Sequence, residues 1–219
     1  MATYKKGVET RERIFQSAKK MFYEYGYKNA TIEKIAADAS VPIGLVNYYF
    51  KKNEMLSVVY TQFIQSIKKA IDNQIGKDIE NPLQKHIVFT RVFYMIMLNN
   101  DRNRELYKEI FINQLVEADI SDLVGLEFMD IVRTFDIDIT ESIFRRLIIA
   151  EYGARRELLM NRYDRLDPEK SKDFINFLAT IAVRLAGVDI KDVMRNCKKA
   201  DDLVKKMNIE ELKIGRAHV

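Results

Sequence analysis

Along most of the chain apolar residues recur at spacings of three and four, and no stretch alternates at period two for long enough to argue a strand. Near the N-terminus, Ile14, Ala18, Met21, Phe22 and Tyr25 make a one-sided stripe, with Thr10 placed as its N-cap and Gly26 at its end. Thr31 then caps a short helix that carries Glu33 in its first turn, has Ile32, Ile35 and Ala36 as apolar positions, and runs to about Asp38. Ala39-Ser40-Val41 is too short for anything but a turn. Pro42 suits a first helical position, so a second short helix is predicted from Pro42 to about Tyr48. Two short helices joined by so tight a turn make a helix-turn-helix.

The remainder reads as longer helices. Asn53 is placed as the cap of a helix whose stripe is Leu56, Val59, Phe63, Ile67, Ala70 and Ile71, reaching toward Ile75. Gly76 breaks that pattern and Pro82 restarts it, predicting a helix over Pro82–Leu98 that Asn99-Asn100-Asp101 stops. Further helices are predicted over Asn103–Glu117, Ser121–Thr134, Thr140–Tyr163, Pro168–Ala186 and Ile190–Met207. The fold class is therefore all-α: a three-helix head over residues 1–52 and a helical bundle over 53–213. The last six residues, Ile214 to Val219, fit nothing before them. They match what one reading frame of a common sequencing-adapter sequence encodes, and are set apart as a non-native tail.

Composition narrows the function. The 219 residues are 47% hydrophobic and 31% charged, which describes a folded globular chain. The longest run free of charged residues, Met55–Ile67, falls short of the roughly 20 apolar residues that span a bilayer, so no membrane association is expected. With a polar start and a single cysteine, Cys197, the expected compartment is the cytoplasm. Cys197, His86 and His218 cannot supply the ligand set of a structural zinc site, and no cofactor is called for. Catalysis is not supported either. His86 is the one histidine before the tail and reads as a surface or capping residue, no nucleophile-elbow or phosphate-loop motif occurs, and Asp136 and Asp138 read as a solvated acidic loop.

Charge is unevenly placed. Residues 1–55 hold ten basic side chains against six acidic ones, so the whole formal surplus of +4 lies in the first quarter of the chain. A polyanion-facing head on a neutral body accounts for that asymmetry, and Lys5, Lys6 and Arg11 read equally as a solvated run or as an arm reaching a groove.

The segment Thr10–Tyr60 resembles the DNA-binding domain of the tetracycline-repressor-like (TetR) family of transcriptional regulators. The resemblance is carried by Thr10-Arg11-Glu12-Arg13-Ile14, by Phe22 with Gly26-Tyr27, by Thr31-Ile32 with Ile35-Ala36, and by Gly44 with Asn47-Tyr48-Tyr49-Phe50-Lys51 ahead of Glu54 and Leu56. Physical reading of the same residues agrees. Val46 and Phe50 with Ile35, Phe22 and Ala18 can form a small core, leaving Pro42, Ile43, Leu45, Asn47 and Tyr48 to face a major groove. Thr31 offers a hydroxyl and helix-terminal amides to a phosphate, and Tyr48, Lys51 and Lys52 can contact the backbone. Ile43 and Leu45 also admit a second reading, as core residues of a rotated helix.

Four departures from the family pattern matter. Ser40 stands where glycine is usual in the turn, Pro42-Ile43 replaces Ser-Lys, Leu45 replaces Thr or Ala, and Asn47 and Asn53 stand where Tyr and Lys are common. Asn reads adenine and aliphatics touch thymine methyls, which points to A·T-containing half-sites.

The resemblance further implies a C-terminal domain that pairs two subunits through a four-helix bundle and binds a small molecule that loosens the grip on double-stranded DNA. A two-fold homodimer matches a palindromic operator. The helix from Asn53 would be the lever between head and body. For the effector, of unidentified chemistry, the candidates are Phe93, Met97, Tyr107, Phe111, Phe128 and Met129, with Asn113 or Gln114 as polar anchors, although such a stripe is also ordinary core. For the dimer face they are Ile143, Leu147, Ile148 and Tyr152 on one helix and Phe174, Phe177, Ile181 and Leu185 on another. A helical interaction module with degenerate DNA binding is the competing reading.

Overall fold

A computed structural model describes residues 2–99, 101–112, 127–162, 171–209 and 212. Ten helices are described: α1 (Ala2–Asn29), α2 (Ile32–Asp38), α3 (Ile43–Tyr49), α4 (Lys52–Ile75), α5 (Pro82–Met97), α6 (Asp101–Ile112), α7 over 127–134, α8 (Glu141–Arg162), α9 (Lys172–Leu185) and α10 (Ile190–Lys205). A single 3₁₀ turn, Gly76–Asp78, follows α4. Among the described residues there is no strand, no helix long and apolar enough to cross a membrane, and no His, Cys, Asp and Glu group able to hold a metal ion. Asn113, Gln114 and the tail 214–219 lie outside the described residues.

The chain forms two compact units, divided inside α4 at Ile64/Gln65 rather than at residue 52. In the first, α1 to α3 and the start of α4 are joined by α6, which packs on α1. Its core is Ile14, Ala18, Phe22, Ile35, Val46 and Leu56, all essentially inaccessible. The second unit holds the rest of α4 with α5 and α7 to α10. There α5 is buried on most of its faces, from Leu83 to Met97, and packs against α9 and α10. Arg91 and Lys172 both reach the Asp201 carboxylate, and Arg155 pairs with Glu151 one turn earlier, so these interior charges are matched.

Several predicted ends need correction. Thr10 is not a cap: α1 starts at Ala2, and the Thr10 hydroxyl donates back to the Lys6 carbonyl at 2.8 Å, satisfied within the helix. Pro42 is the N-cap of α3 rather than its first residue. Asn53 is interior to α4; the Glu54 carboxylate does the capping work, accepting from the Lys51 amide at 3.0 Å. His86 is not a surface residue but is buried on α5, because that helix is enclosed on nearly all sides.

Candidate nucleic-acid interface

Three local devices shape the head. At the start of α2, the Thr31 hydroxyl accepts from the Lys34 amide at 3.3 Å, which turns the chain and fixes the helix N-terminus. At its end, Asp38 lies unfavourably near the negative pole of the helix dipole. Ser17 and Lys20 of α1 offset this by donating to its two oxygens, each at 2.6 Å, and these bonds, Lys20's first, hold the Asp38 carboxyl below its ordinary pKa. Between α2 and α3, Ser40 takes φ +53°, the left-handed conformation that glycine adopts without strain. A residue with a Cβ thus holds a turn conformation that resists it.

Those devices set the aspect of α3. Val46 and, just past the helix, Phe50 point inward, with the Phe15 ring 6.2 Å from the Phe50 ring and the Arg11 guanidinium 4.7 Å above it. The outward face carries Pro42, Ile43, Gly44, Asn47 and Tyr48, with Leu45 half-buried. Ile43 is 47% exposed and Tyr48 79% exposed, so the rotated-helix reading of Ile43 does not hold. A methyl group at Gly44 would meet nothing within 4 Å, so packing gives no reason for glycine inside a helix, where it costs about 0.5–1 kcal/mol relative to alanine.

Lys51 is exposed, with its ammonium 3.9 Å from Glu54, and Thr31 is half-buried at the start of α2. Lys52 differs from the expectation of a free phosphate donor. Its ammonium sits 4.4 Å over the Tyr27 ring and donates to the Lys28 carbonyl at 3.5 Å, and burial lowers its pKa against the pull of Glu109. Lys34 is likewise engaged, over Tyr25 and on the Asn29 carbonyl. Sequence reasoning missed this corner. Its signal was Gly26, which breaks α1 at φ +75° and frees the amides that follow.

The head matches the family model described as bacterial regulatory proteins, tetR family, over residues 14–57. Over those residues the chain is similar to the DNA-binding head of tetR-family regulators. Among curated proteins, this chain is 22% identical over 118 residues to the probable HTH-type transcriptional regulator YttP of Bacillus subtilis (strain 168), covering 52% of this chain and 56% of that protein. It is 32% identical over 78 residues to the HTH-type transcriptional regulator HbdR of Aromatoleum sp. (strain CIB), covering 35% and 34%. The matches therefore span about half and a third of these relatives' lengths. The crystal structure of RolR in complex with resorcinol superposes at a TM-score of 0.64 with 17% identity, covering 89% of this chain and 95% of that one, which shows a shared all-α fold. The curated relatives are regulators rather than enzymes.

The candidate body residues fall in both units. Tyr107 and Phe111 are buried in the first, their rings 5.4 Å apart, whereas Phe93, Met97 and Phe128 are buried in the second with Met129 half-buried there. On α8, Ile143 is exposed and Leu147, Ile148 and Tyr152 are half-buried; on α9, Phe174 is half-buried, Phe177 and Leu185 are exposed, and Ile181 is buried. Ile181 thus contributes to the interior of the second unit and not to an outer face, because α9 turns it with Leu178 and Val183 toward its neighbours. Ile149, which the sequence reading passed over, is the most exposed aliphatic of α8 at 72%.

Proposed function

We propose that this protein is a ligand-responsive DNA-binding transcriptional regulator that represses by holding a palindromic operator as a homodimer, and that a small molecule releases it. The observation that carries the reading is the division of α3 into an inward side locked on the head core and an outward side offering Ile43, Leu45, Asn47 and Tyr48. Gly44 fits the same account, since a bare backbone on that side permits close approach by a base pair or phosphate. Asn47 would read adenine, and Ile43 and Leu45 thymine methyls, favouring A·T-containing half-sites. Thr31, Lys51 and Tyr48 would hold the phosphates, with Pro42 setting the helix entry and Lys52 bracing the Tyr27 corner behind them.

Exposed Ile143, Ile149, Phe177 and Leu185 on α8 and α9 supply apolar area for a two-fold contact, which sets the spacing of two recognition helices at about 34–36 Å. Because α4 contributes residues to both units, a ligand favouring one setting of that helix shifts the population bound to DNA by its differential affinity. Selection from random duplexes followed by footprinting tests the reading. The expected result is a short palindrome whose protection weakens with salt; enrichment of no sequence would sink it and favour an interaction module.

A further inference from the structure

The second unit contains a cleft of about 310 Å³ between α4, α5, α7 and the segment joining α4 to α5. Ile71, Ile79, Pro82 and Phe89 form apolar walls, and the polar floor is made by Lys68, His86 and Glu127. Lys68 holds Glu127 Oε1 at 2.5 Å. His86 is 7% exposed, its Nδ1 has no hydrogen-bond partner among the described residues, and that atom lies 3.9 Å from Glu127 Oε2. A buried imidazole nitrogen without a partner costs free energy in a folded protein, so its retention in the wall of a cleft asks for an occupant.

The separation defines what that occupant presents. One hydroxyl oxygen can stand about 2.8 Å from both atoms, accepting from His86 Nδ1–H and donating to Glu127 Oε2. No net charge is called for. Lys68 is matched by Glu127, Lys85 by Asp72 at 2.5 Å, Glu80 by Lys199, and Asp130 by Arg133 at 3.6 Å. A charged ligand would leave one of these ions or itself unmatched in a partly desolvated site. The volume is that of roughly ten water molecules at about 30 Å³ each, which suits a single ring with a short substituent.

We propose that this cleft is the effector site, and that it takes a small, neutral, hydroxyl-bearing ring compound, its hydroxyl seated between His86 and Glu127 and its ring against Phe89. The assignment rests on the regulator reading for its consequence, since Lys68 and Ile71 belong to α4, but binding itself can be measured apart from DNA. It also places the site away from Tyr107 and Phe111.

Isothermal titration of the full-length protein with 4-ethylphenol, 4-ethylanisole, 4-ethylbenzoate and 4-ethylbenzylammonium is the test. Saturable binding of the phenol is expected, with the methyl ether, which cannot donate, and both charged compounds at least tenfold weaker. Glu127→Gln and His86→Phe are each expected to weaken the phenol at least tenfold, while Ile71→Trp fills the cleft and abolishes binding. Absence of saturable phenol binding, equal binding of the ether, or binding unchanged in all three variants overturns the proposal. Phenol binding that leaves DNA affinity unaltered keeps the site and removes the regulatory reading; release of DNA by a compound that ignores these variants does the reverse.

Discussion

Glu109 Oε2 lies 2.5 Å from the backbone nitrogen of Tyr27 and 3.3 Å from that of Lys28, accepting from both amides that the Gly26 break leaves exposed. These residues are more than eighty positions apart in sequence, and the carboxylate does for this corner what a local cap does for a helix start. Gly26 is required twice, by its φ of +75° and because a methyl group there would come within 3.1 Å of Glu109 Oε2. Through it, α6 is fastened to the end of α1 and so to the base of the helix-turn-helix.

Removing this acceptor leaves two amides without it. Glu109→Ala is expected to destabilise the protein by about 1–3 kcal/mol, with Glu109→Gln recovering part of the loss because a neutral oxygen still accepts. Gly26→Ala is expected to cost about 1–2 kcal/mol. Urea midpoints at constant slope would check all three.

Ser40 offers the opposite case. The left-handed conformation costs an ordinary residue about 1–2 kcal/mol, and glycine loses only about 0.4–1 kcal/mol through its freer unfolded chain. Ser40→Gly should therefore raise stability by up to about 1 kcal/mol, and Ser40→Val, a β-branched residue, should lower it. Thermal unfolding of the pair gives the sign.

On DNA, Lys51→Ala is expected to reduce the slope of log affinity against log salt by about 0.9 per half-site, and Tyr48→Ala to weaken binding without changing it. Gly44→Ala separates fold from function, because it should stabilise α3 by about 0.5–1 kcal/mol while weakening the operator complex. Fluorescence anisotropy at several salt concentrations would distinguish these effects.

Placing a charge on the apolar outer side of α9 tests assembly. On the proposed homodimer, Phe177→Glu is expected to yield a monomer in sedimentation velocity, with affinity for the proposed operator falling in parallel, because two recognition helices would no longer share one frame. A surface lysine change such as Lys191→Ala should alter neither.

Acid sensitivity follows from Glu127. Burial works against its charge, but the nearby His86 imidazole and the Lys68 ammonium prevail, holding the pKa at about 2 against an ordinary 4.5. A depressed carboxylate stabilises the fold above its unfolded pKa, and that contribution disappears as pH falls from about 4.5 toward about 2. After allowance for its one-third exposure, the loss is on the order of 1–2 kcal/mol. Glu127→Gln should flatten that part of the stability profile.

Local pattern determined the helices and the head. The stripe Ile14, Ala18, Met21 and Phe22, the Thr31 cap, the stop at Gly26 and the inward Val46 and Phe50 all follow from spacing, since a helix buries whichever side repeats at three and four. What tertiary structure alone decided is which polar groups meet across the chain. Lys52 looks like a free cation in sequence, yet folds onto Tyr27; His86 looks like a surface residue, yet faces Glu127 in a cleft; and Glu109 caps a break eighty residues upstream. Periodicity reports how much of a residue is covered, because burial of apolar area is additive and short-ranged along a helix. It carries no record of the partner, because a hydrogen bond or ion pair depends on a few ångströms between elements that only packing brings into register.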